Sequence, residues 1–219
     1  MQETIVKDID GNSYNIVRIG DQIWLAENLK VTHFNNGDEI PNTTGDWISL
    51  STGAYCDYDN NPSNSVTFGR LYNWYTVDDN RGVCPEGFHV PTDDEFKRLE
   101  MYLGMSESKE TIVEKPSDSE GWRGTNEGSK LAGNAELWNS GKLENDAEFG
   151  TSDFNGLPGG HRYYHSGNYS SMGRSGYFWS SSERNSSNAM FRELDYFVSN
   201  VNRGYNDKRS GFSIRCVGG

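Results

Sequence analysis

Acidic and amide side chains alternate in one short segment that could supply oxygen ligands to calcium. Asp57, Asp59 and Asn61 stand two residues apart, a spacing at which such ligands can converge on one hard cation. The pattern then breaks, because Pro62 stands where an EF-hand loop requires glycine and Phe68 where it requires a bidentate glutamate. The segment therefore predicts a turn stabilised by its Asx side chains, with calcium binding by Asp57, Asp59 and Asn61 as the alternative.

Two of the four histidines lie four residues apart. On a helix, His161 and His165 would share one face and could bind a transition metal. Residues 158–160 are Pro-Gly-Gly and residues 166–167 are Ser-Gly, and such residues interrupt helices. We therefore expect both histidines in a strand or loop surface rather than in a metal site.

The short motifs of common catalytic sites are absent from the sequence. It contains no nucleophile-elbow serine, no phosphate-binding glycine loop and no His-Glu-x-x-His. Glycoside hydrolysis needs only two carboxylates about 5 to 9.5 Å apart, and 32 acidic residues make such a pair common by chance. A carbohydrate-active enzyme is therefore an alternative without assigned residues, and a non-enzymatic role is favoured.

Aromatic residues within segments rich in Gly, Ser and Asn are the candidates for ligand recognition. Rigid rings supply contact area at a low entropic cost, and small polar neighbours supply adaptable hydrogen bonds. Other rings must build the core because aliphatic residues are scarce, and we assign Trp24, Trp74 and Trp179 to it. The predicted ligand-binding residues are Trp122, Trp138, Tyr163, His165 and Tyr169.

The composition describes an acidic chain that is rich in aromatic rings. Its 219 residues carry a formal net charge of −12, which argues against nucleic-acid binding because phosphate backbones attract clustered Lys and Arg. Six Trp, twelve Tyr and ten Phe argue against the disorder that a low aliphatic content and a high net charge otherwise indicate. No linker divides the sequence, so we expect one domain over residues 1–219, and no apolar run approaches the roughly 20 residues of a membrane span.

The first half of the chain contains the clearer helix signals. Residues 4–29 predict a hairpin around an Asp-Gly-Asn turn, and residues 35–64 predict an ordered loop held by its aromatic rings. Apolar residues at helical spacing predict a helix over residues 68–77. A second helix begins at the capping box of residues 92–95 and ends at Gly104.

The second half predicts long loops followed by strands. Residues 106–154 show little periodicity, with one helical turn expected at residues 129–131. In the last segment, Ser213 and Arg215 alternate with apolar residues, so both are expected to point away from the core. We expect an antiparallel meander whose strands lie at residues 177–179, 189–194, 197–201 and 212–216.

Eight segments, in order along the chain, together resemble one known family. They are residues 8–12, 24–29, 53–56, 71–75, 84–91, 157–160, 179–183 and 211–217. Over about residues 4–217 the sequence resembles the Fibrobacter succinogenes major paralogous domain. The resemblance implies an exported bacterial surface protein or lipoprotein, whose lipid anchor would lie upstream of Met1, and it implies no particular reaction.

That family is in turn similar to the C-type lectin-like and sulfatase-modifying-factor fold. The shared features are a Pro-Thr-x-x-Glu helix entry at residues 91–95 and a Gly-Phe-x-x-Arg-Cys strand at residues 211–216. The similarity implies an α+β fold of twisted antiparallel strands with two helices and long irregular loops. Phe88, His161 and the loop at residues 107–116 depart from the family pattern.

The three cysteines allow one disulfide and one thiol. Formylglycine-generating relatives of this fold use a pair of reactive cysteines, whereas Cys56, Cys84 and Cys216 are far apart in the sequence, so an oxidase is disfavoured. The alternative is a disulfide between Cys84, before the helix-entry strand, and Cys216, in the terminal strand, with Cys56 as a buried thiol. An exported protein would keep such a bridge, and the sequence leaves the pairing open.

These observations favour a non-enzymatic module, exported to the cell surface or outer membrane, that binds a glycan or a protein partner through its long loops. A carbohydrate-active enzyme and a structural or assembly domain of the cell envelope are the alternatives. No cofactor is expected, apart from calcium at Asp57, Asp59 and Asn61 if that segment binds it.

Overall fold

In the computed structural model, which describes residues 5–106 and 119–219, thirteen strands and four helices form an α+β fold. Thr4 and the loop at residues 107–116 lie outside the described residues. The strands are β1 (Ile5–Lys7), β2 (Ser13–Ile19), β3 (Gln22–Leu25), β4 (Tyr55–Cys56), β5 (Leu71–Tyr72), β6 (Phe88–His89), β7 (Gly121–Arg123), β8 (Gly159–Arg162), β9 (Tyr169–Met172), β10 (Ser175–Glu183), β11 (Asn188–Asp195), β12 (Val201–Asp207) and β13 (Val217–Gly218). The helices are α1 (Pro62–Phe68), α2 (Trp74–Val77), α3 (Asp93–Tyr102) and α4 (Glu127–Leu131).

A five-stranded sheet joins the two ends of the described chain in the order β1-β2-β3-β13-β6. The terminal strand β13 is central to this arrangement, because Val217 pairs with Trp24 of β3 on one side and His89 of β6 on the other. Beside it, Cys84 and Cys216 form a disulfide with their Cα atoms 6.0 Å apart. The bridge therefore links the segment before β6 to the residue that directly precedes β13, and Cys56 is a buried free thiol.

A six-stranded sheet contains the expected meander, in the order β7-β12-β11-β10-β8-β9. Strands β10, β11 and β12 pair antiparallel, which confirms the antiparallel character of this region. The third strand runs over Val201–Asp207 rather than residues 197–201, because residues 196–200 form the connection from β11. One pairing in the sheet is parallel, between β10 and β8 at Gly176 and Gly160.

Aromatic rings form much of the core, as the composition predicts. Trp24, Trp74 and Trp179 are all buried. The Trp24 ring centroid lies 5.4 Å from that of Phe96 in α3, and the Trp179 centroid lies 4.4 Å from that of Phe212. The rings thus join the helix layer and the sheets where aliphatic residues are few.

The prediction of one helix over residues 68–77 is wrong. Helix α1 ends at Gly69, whose φ is +77° and where a Cβ atom would lie 2.6 Å from the Cβ of Asn28. The chain then forms β5, which pairs with β4, before Asn73 caps α2 by accepting a hydrogen bond from the Thr76 amide. The apolar residues at helical spacing are therefore divided among the end of α1, the strand β5 and the start of α2, and do not form one helix.

The other helix predictions are confirmed. Helix α3 begins with the complete capping box of Thr92 and Glu95, and α4 covers the expected turn at residues 129–131. The described residues contain four helices rather than the two implied by the family resemblance. Within these residues α3, at ten residues, is the longest helix, and none is long and apolar enough to cross a membrane.

The prediction that Ser213 and Arg215 face away from the core is wrong, because every residue of 212–216 is buried. The segment lies between two other segments of the same chain: Phe212 forms a β-bridge to Tyr72, and Ser213 forms one to Phe178. The guanidinium of Arg215 donates hydrogen bonds to Asn28 Oδ1 at 2.8 Å and to main-chain carbonyl groups. Burial lowers the pKa of Arg215 to about 9.

Candidate functional site

Two neighbouring cavities open among the loops near the end of β8. The first, here called the loop cavity, has a volume of about 370 Å³ and is lined by Thr44, Gly45, Asp46, Ile48, Arg162, His165, Ser166 and Gly167. The second cavity has a volume of about 310 Å³ and is lined by Ile48, Ser49, Leu50, Tyr75, Ser186, Ser187, Asp207 and Arg209. Because Ile48 lines both, the two cavities adjoin. Together with Tyr163 and Tyr164 they are called the loop surface below.

A buried tryptophan holds one wall of the loop surface. Trp47 is 0% exposed, and its indole N–H donates a hydrogen bond of 2.7 Å to the Thr43 carbonyl. The Asp46 carboxylate accepts a hydrogen bond of 2.8 Å from the Ile48 amide, which forms an Asx turn. The aromatic anchoring predicted for residues 35–64 is therefore present here, and it leaves Ile48 46% exposed.

The turn between β8 and β9 forms the opposite wall. The Tyr163 amide donates to the Asn168 carbonyl, and the Gly167 amide donates to the Tyr163 carbonyl, both at 2.9 Å. Gly167 has a φ of +68°, a conformation that favours glycine. This turn presents Tyr163, which is 42% exposed, and the exposed side chain of His165.

Arg162 lies at the base of the loop cavity, and its residue is only 1% exposed. Its guanidinium donates hydrogen bonds to the carbonyl oxygens of Thr43 at 2.7 Å, Thr44 at 3.0 Å and Gly45. It also lies 4.5 Å from the ring centroid of Trp47. Among the residues that the structure describes, it forms no ion pair, and its Nε has no hydrogen-bond partner.

Arg209 lines the second cavity and contacts Ile48, the residue that lines both cavities. It binds the Asp207 carboxylate with two hydrogen bonds of 2.8 and 2.7 Å and donates a third, of 2.7 Å, to the Ile48 carbonyl. Its guanidinium lies 4.4 Å from the ring centroid of Tyr164. Although burial opposes it, the hydrogen bonds from Arg209 hold the pKa of Asp207 below its usual range.

The structure brings three of the five predicted ligand-binding residues together. Tyr163 and His165 lie in the β8–β9 turn, with ring centroids 5.8 Å apart. Tyr169 begins β9; its ring packs 5.2 Å from that of Tyr58, and its hydroxyl donates to Asn60 Oδ1 at 2.8 Å. Tyr169 is half-buried against the inner side of the loop surface, 5.4 Å from the guanidinium of Arg162.

The other two predicted residues lie elsewhere. Trp122 is half-buried on the edge strand β7, which pairs with β12, and it lines neither cavity of the loop surface. Trp138 is 6% exposed within a core cluster, and its indole N–H donates to the Gly133 carbonyl at 3.1 Å. We therefore leave both tryptophans out of the candidate site.

Two of the three predicted calcium ligands, Asp57 and Asn61, have partners within the protein. Asp57 is buried, accepts a hydrogen bond from the Ser65 hydroxyl and lies 3.6 Å from Arg70 Nη1. Asn61 caps α1 through its side-chain oxygen, and Asp59 lies in a 3₁₀ turn with a φ of +54°. Over the described residues, no group of three or more His, Cys, Asp or Glu side chains could hold a metal ion.

His161 is a buried histidine surrounded by rings. It lies in β8, and its ring centroid is 4.4 Å from that of Tyr163, 4.7 Å from that of Tyr177 and 6.1 Å from that of Phe212. Burial lowers its pKa to about 4, and its Nδ1 has no hydrogen-bond partner. The strand location agrees with the sequence analysis, and the ring surroundings make this histidine part of the core.

The sequence analysis missed a buried ionic cluster at the start of α3. Asp93 accepts hydrogen bonds from Arg192 at 2.7 Å and from Arg203 at 2.7 Å, while Glu100 binds Arg192 and Arg123, both at 2.6 Å. The sequence analysis treats Asp93 as a helix-start acid. The one available signal was the charged pair Arg192 and Glu193 within the mostly apolar run of residues 189–194. A third cavity, of about 440 Å³, adjoins this cluster.

One known family matches the chain. The sequence profile of the Fibrobacter succinogenes major domain matches residues 17–218. Searches of curated proteins and of solved structures find no match. Since the match covers nearly the whole chain, including every residue of the loop surface, the protein belongs to the Fibrobacter succinogenes major domain family.

Proposed function

We propose that the protein is a non-enzymatic module of the cell surface or outer membrane and that it binds a glycan through the loop surface. The observation that carries the proposal is the pair of adjoining cavities, next to which the β8–β9 turn places the exposed ring of Tyr163 and the half-buried ring of Tyr164, with the guanidinium of Arg209 stacked on the latter. Flat rings pack against the apolar faces of sugars, and the small polar residues between them supply hydrogen bonds. A glycan is extended and polar, and the two cavities provide a matching shape.

The proposed fold is C-type lectin-like. It is supported by the complete capping box that follows β6 at residues 91–95 and by the terminal strand β13 pairing with the N-terminal hairpin. The disulfide between Cys84 and Cys216 supports export, since such bridges persist in oxidising compartments. Export and a lipid anchor upstream of Met1 belong to this proposal.

The carboxylates of the loop surface favour binding over hydrolysis. A glycosidase needs a carboxylic acid that keeps its proton at working pH. Asp207 is held ionised by Arg209, and Asp46 is an exposed carboxylate that accepts the Ile48 amide. Neither group is placed as a general acid, so the geometry supports a binding module over the carbohydrate-active alternative.

The proposal is tested with a glycan array of neutral and acidic oligosaccharides, probed with and without calcium. We expect binding without release of shorter products, and we expect Tyr163→Ala to weaken it at least fivefold, since a stacked ring contributes about 1 kcal/mol. The matched control is Tyr205→Ala, because Tyr205 is similarly exposed, at 48%, but lies on β12 beside Arg184, outside the β8–β9 turn. Product release would support the enzyme, and absence of binding to every glycan would support the assembly domain.

A further inference from the structure

We infer that the loop cavity binds a sugar that carries a carboxylate, with Arg162 as the cation that faces this group. The inference rests on the proposed function and names the class of glycan. It follows from the surroundings of Arg162, its place in the lining of the loop cavity beside Gly167, and the distribution of charge between the two cavities.

The hydrogen bonds of Arg162 leave its charge without an anionic partner. A guanidinium has five N–H donors, and three of them bind the carbonyl oxygens of residues 43–45. Its Nε–H has no partner, and the residue forms no ion pair within the part of the chain that the structure describes. Buried charges are ordinarily paired, so a cation that meets only neutral groups at the base of a cavity, namely carbonyls, rings and the Cys56 thiol, favours an anion from outside.

Gly167 lies close to the guanidinium of Arg162 on the cavity side. A Cβ atom added at Gly167 would lie 3.3 Å from Arg162 Nη2, so any larger residue would cover this nitrogen. His165 and Ser166 line the same side and offer hydrogen-bond donors. A carboxylate entering here would meet donors of the kind that bind its two oxygens.

Asp46 limits the number of charges that the ligand can carry. Among the described residues it is the one carboxylate that lines the loop cavity, and the whole chain has a net charge of −12. Both features repel a polyanion. A mostly neutral glycan with a single uronic or sialic acid residue therefore fits better than a densely charged polymer.

The second cavity is suited to the neutral part of such a glycan. The charge of its arginine, Arg209, is already paired with the Asp207 carboxylate, and Arg209 also donates to the Ile48 carbonyl. The remaining lining includes Tyr75, Ser186 and Ser187, which are uncharged. The ligand would thus run across Ile48, with its acid in the loop cavity and its neutral units beyond.

The test compares matched ligands by calorimetry. The probes are a neutral oligosaccharide capped by one glucuronic acid, the same compound with its carboxylate reduced to the alcohol, and a sialic-acid-capped analogue. We expect the carboxylate to tighten binding at least tenfold, as for a charge-assisted pair. The sialic acid and glucuronic acid arms distinguish the two sources of the carboxylate.

Two variants locate the effect in the loop cavity. Asp46→Asn keeps an oxygen for the Ile48 amide while removing the repelling charge, so we expect about threefold tighter binding of the acid and no change for the reduced ligand. Asp94→Asn is the control, because it removes the same charge from a site that is 81% exposed and lines neither cavity. Arg162→Gln, assayed after its melting temperature confirms folding, should remove the preference for the acid.

The possible failures are distinguishable. Equal affinity for the acid and its reduced form, with Asp46→Asn without effect, would overturn the inference and leave glycan binding in place. Absence of binding to every probe would overturn both. Stronger binding of a peptide with a free C-terminal carboxylate than of any acidic sugar, lost in the C-terminal amide, would replace the glycan by a protein partner.

Discussion

His161 should make the stability of this protein fall as the pH decreases from neutral. The imidazole is 6% exposed and surrounded by aromatic rings, with no hydrogen-bond partner for Nδ1. Burial therefore favours the neutral form and lowers its pKa to about 4, compared with 6.5 for a free histidine. The unfolded chain accepts a proton first, so stability is lost between these two values as the pH falls.

The size of this loss follows from the two pKa values. Between pH 7.5 and pH 4.5, protonation of the unfolded histidine stabilises the unfolded state by about 2.5 kcal/mol relative to the folded state. His161→Phe fills the same ring-lined space with a group that does not titrate. We expect the variant to keep its neutral-pH stability within about 1.5 kcal/mol and to lack this part of the acid loss.

Urea unfolding at half-unit pH steps, with the disulfide intact, measures the effect. The quantity of interest is the difference in unfolding free energy between the wild-type protein and His161→Phe, because carboxylates common to both proteins cancel. The difference should change by about 2.5 kcal/mol across the range. His165→Ala, which removes an exposed histidine, should keep the wild-type profile. Parallel profiles for wild type and His161→Phe would refute the reasoning.

Three further predictions concern stability. Glu100→Gln should lower the unfolding free energy by about 3–5 kcal/mol in urea titrations, because it leaves two buried arginines without their shared carboxylate; a loss below about 1 kcal/mol would show that the cluster relaxes. Gly69→Ala should lower the unfolding free energy by at least about 2 kcal/mol more than Gly37→Ala does, because overpacking costs about 1–3 kcal/mol. Both glycines have a positive φ, but only Gly69 faces close neighbours. Denatured protein should show one reactive thiol before reduction and three after it; three thiols before reduction would contradict the bridge. Replacing Cys84 and Cys216 by alanine should lower the unfolding free energy by about 5 kcal/mol, because the bridge closes a loop with a sequence separation of 132 residues.

Local signals predicted the elements whose determinants lie close together in the sequence. The capping box of Thr92 and Glu95 contains both of its partners within four residues, so α3 could be located from the sequence. Gly69 shows the opposite case, because it ends α1 where the chain passes close to Asn28, which is 41 positions away in the sequence. Helical spacing carries no record of such a contact, and the helix prediction failed there.

Burial on both sides explains why the predicted orientation of Ser213 and Arg215, near the C-terminus, is wrong. Alternation separates a core face from a solvent face only when one side of a strand is open. Ser213 and Arg215 are both buried, and Arg215 is held by Asn28 and by carbonyl oxygens of residues distant in the sequence. The alternation of polar and apolar residues therefore suggested that these side chains are exposed. In the fold, the Arg215 side chain instead donates hydrogen bonds to buried acceptors.

The candidate site illustrates the same limit at its most informative residue. Tyr163 and His165 could be named from the sequence because rings in a polar loop are a local pattern. Arg162 could not, because its role depends on its having no ion pair among the described residues and on three carbonyl groups almost 120 residues earlier. A charge that the fold buries without pairing is visible only after folding. Two buried arginines illustrate the point, and they differ in their surroundings. Arg215 is enclosed in the core, whereas Arg162 lines the loop cavity, where we propose that a ligand binds.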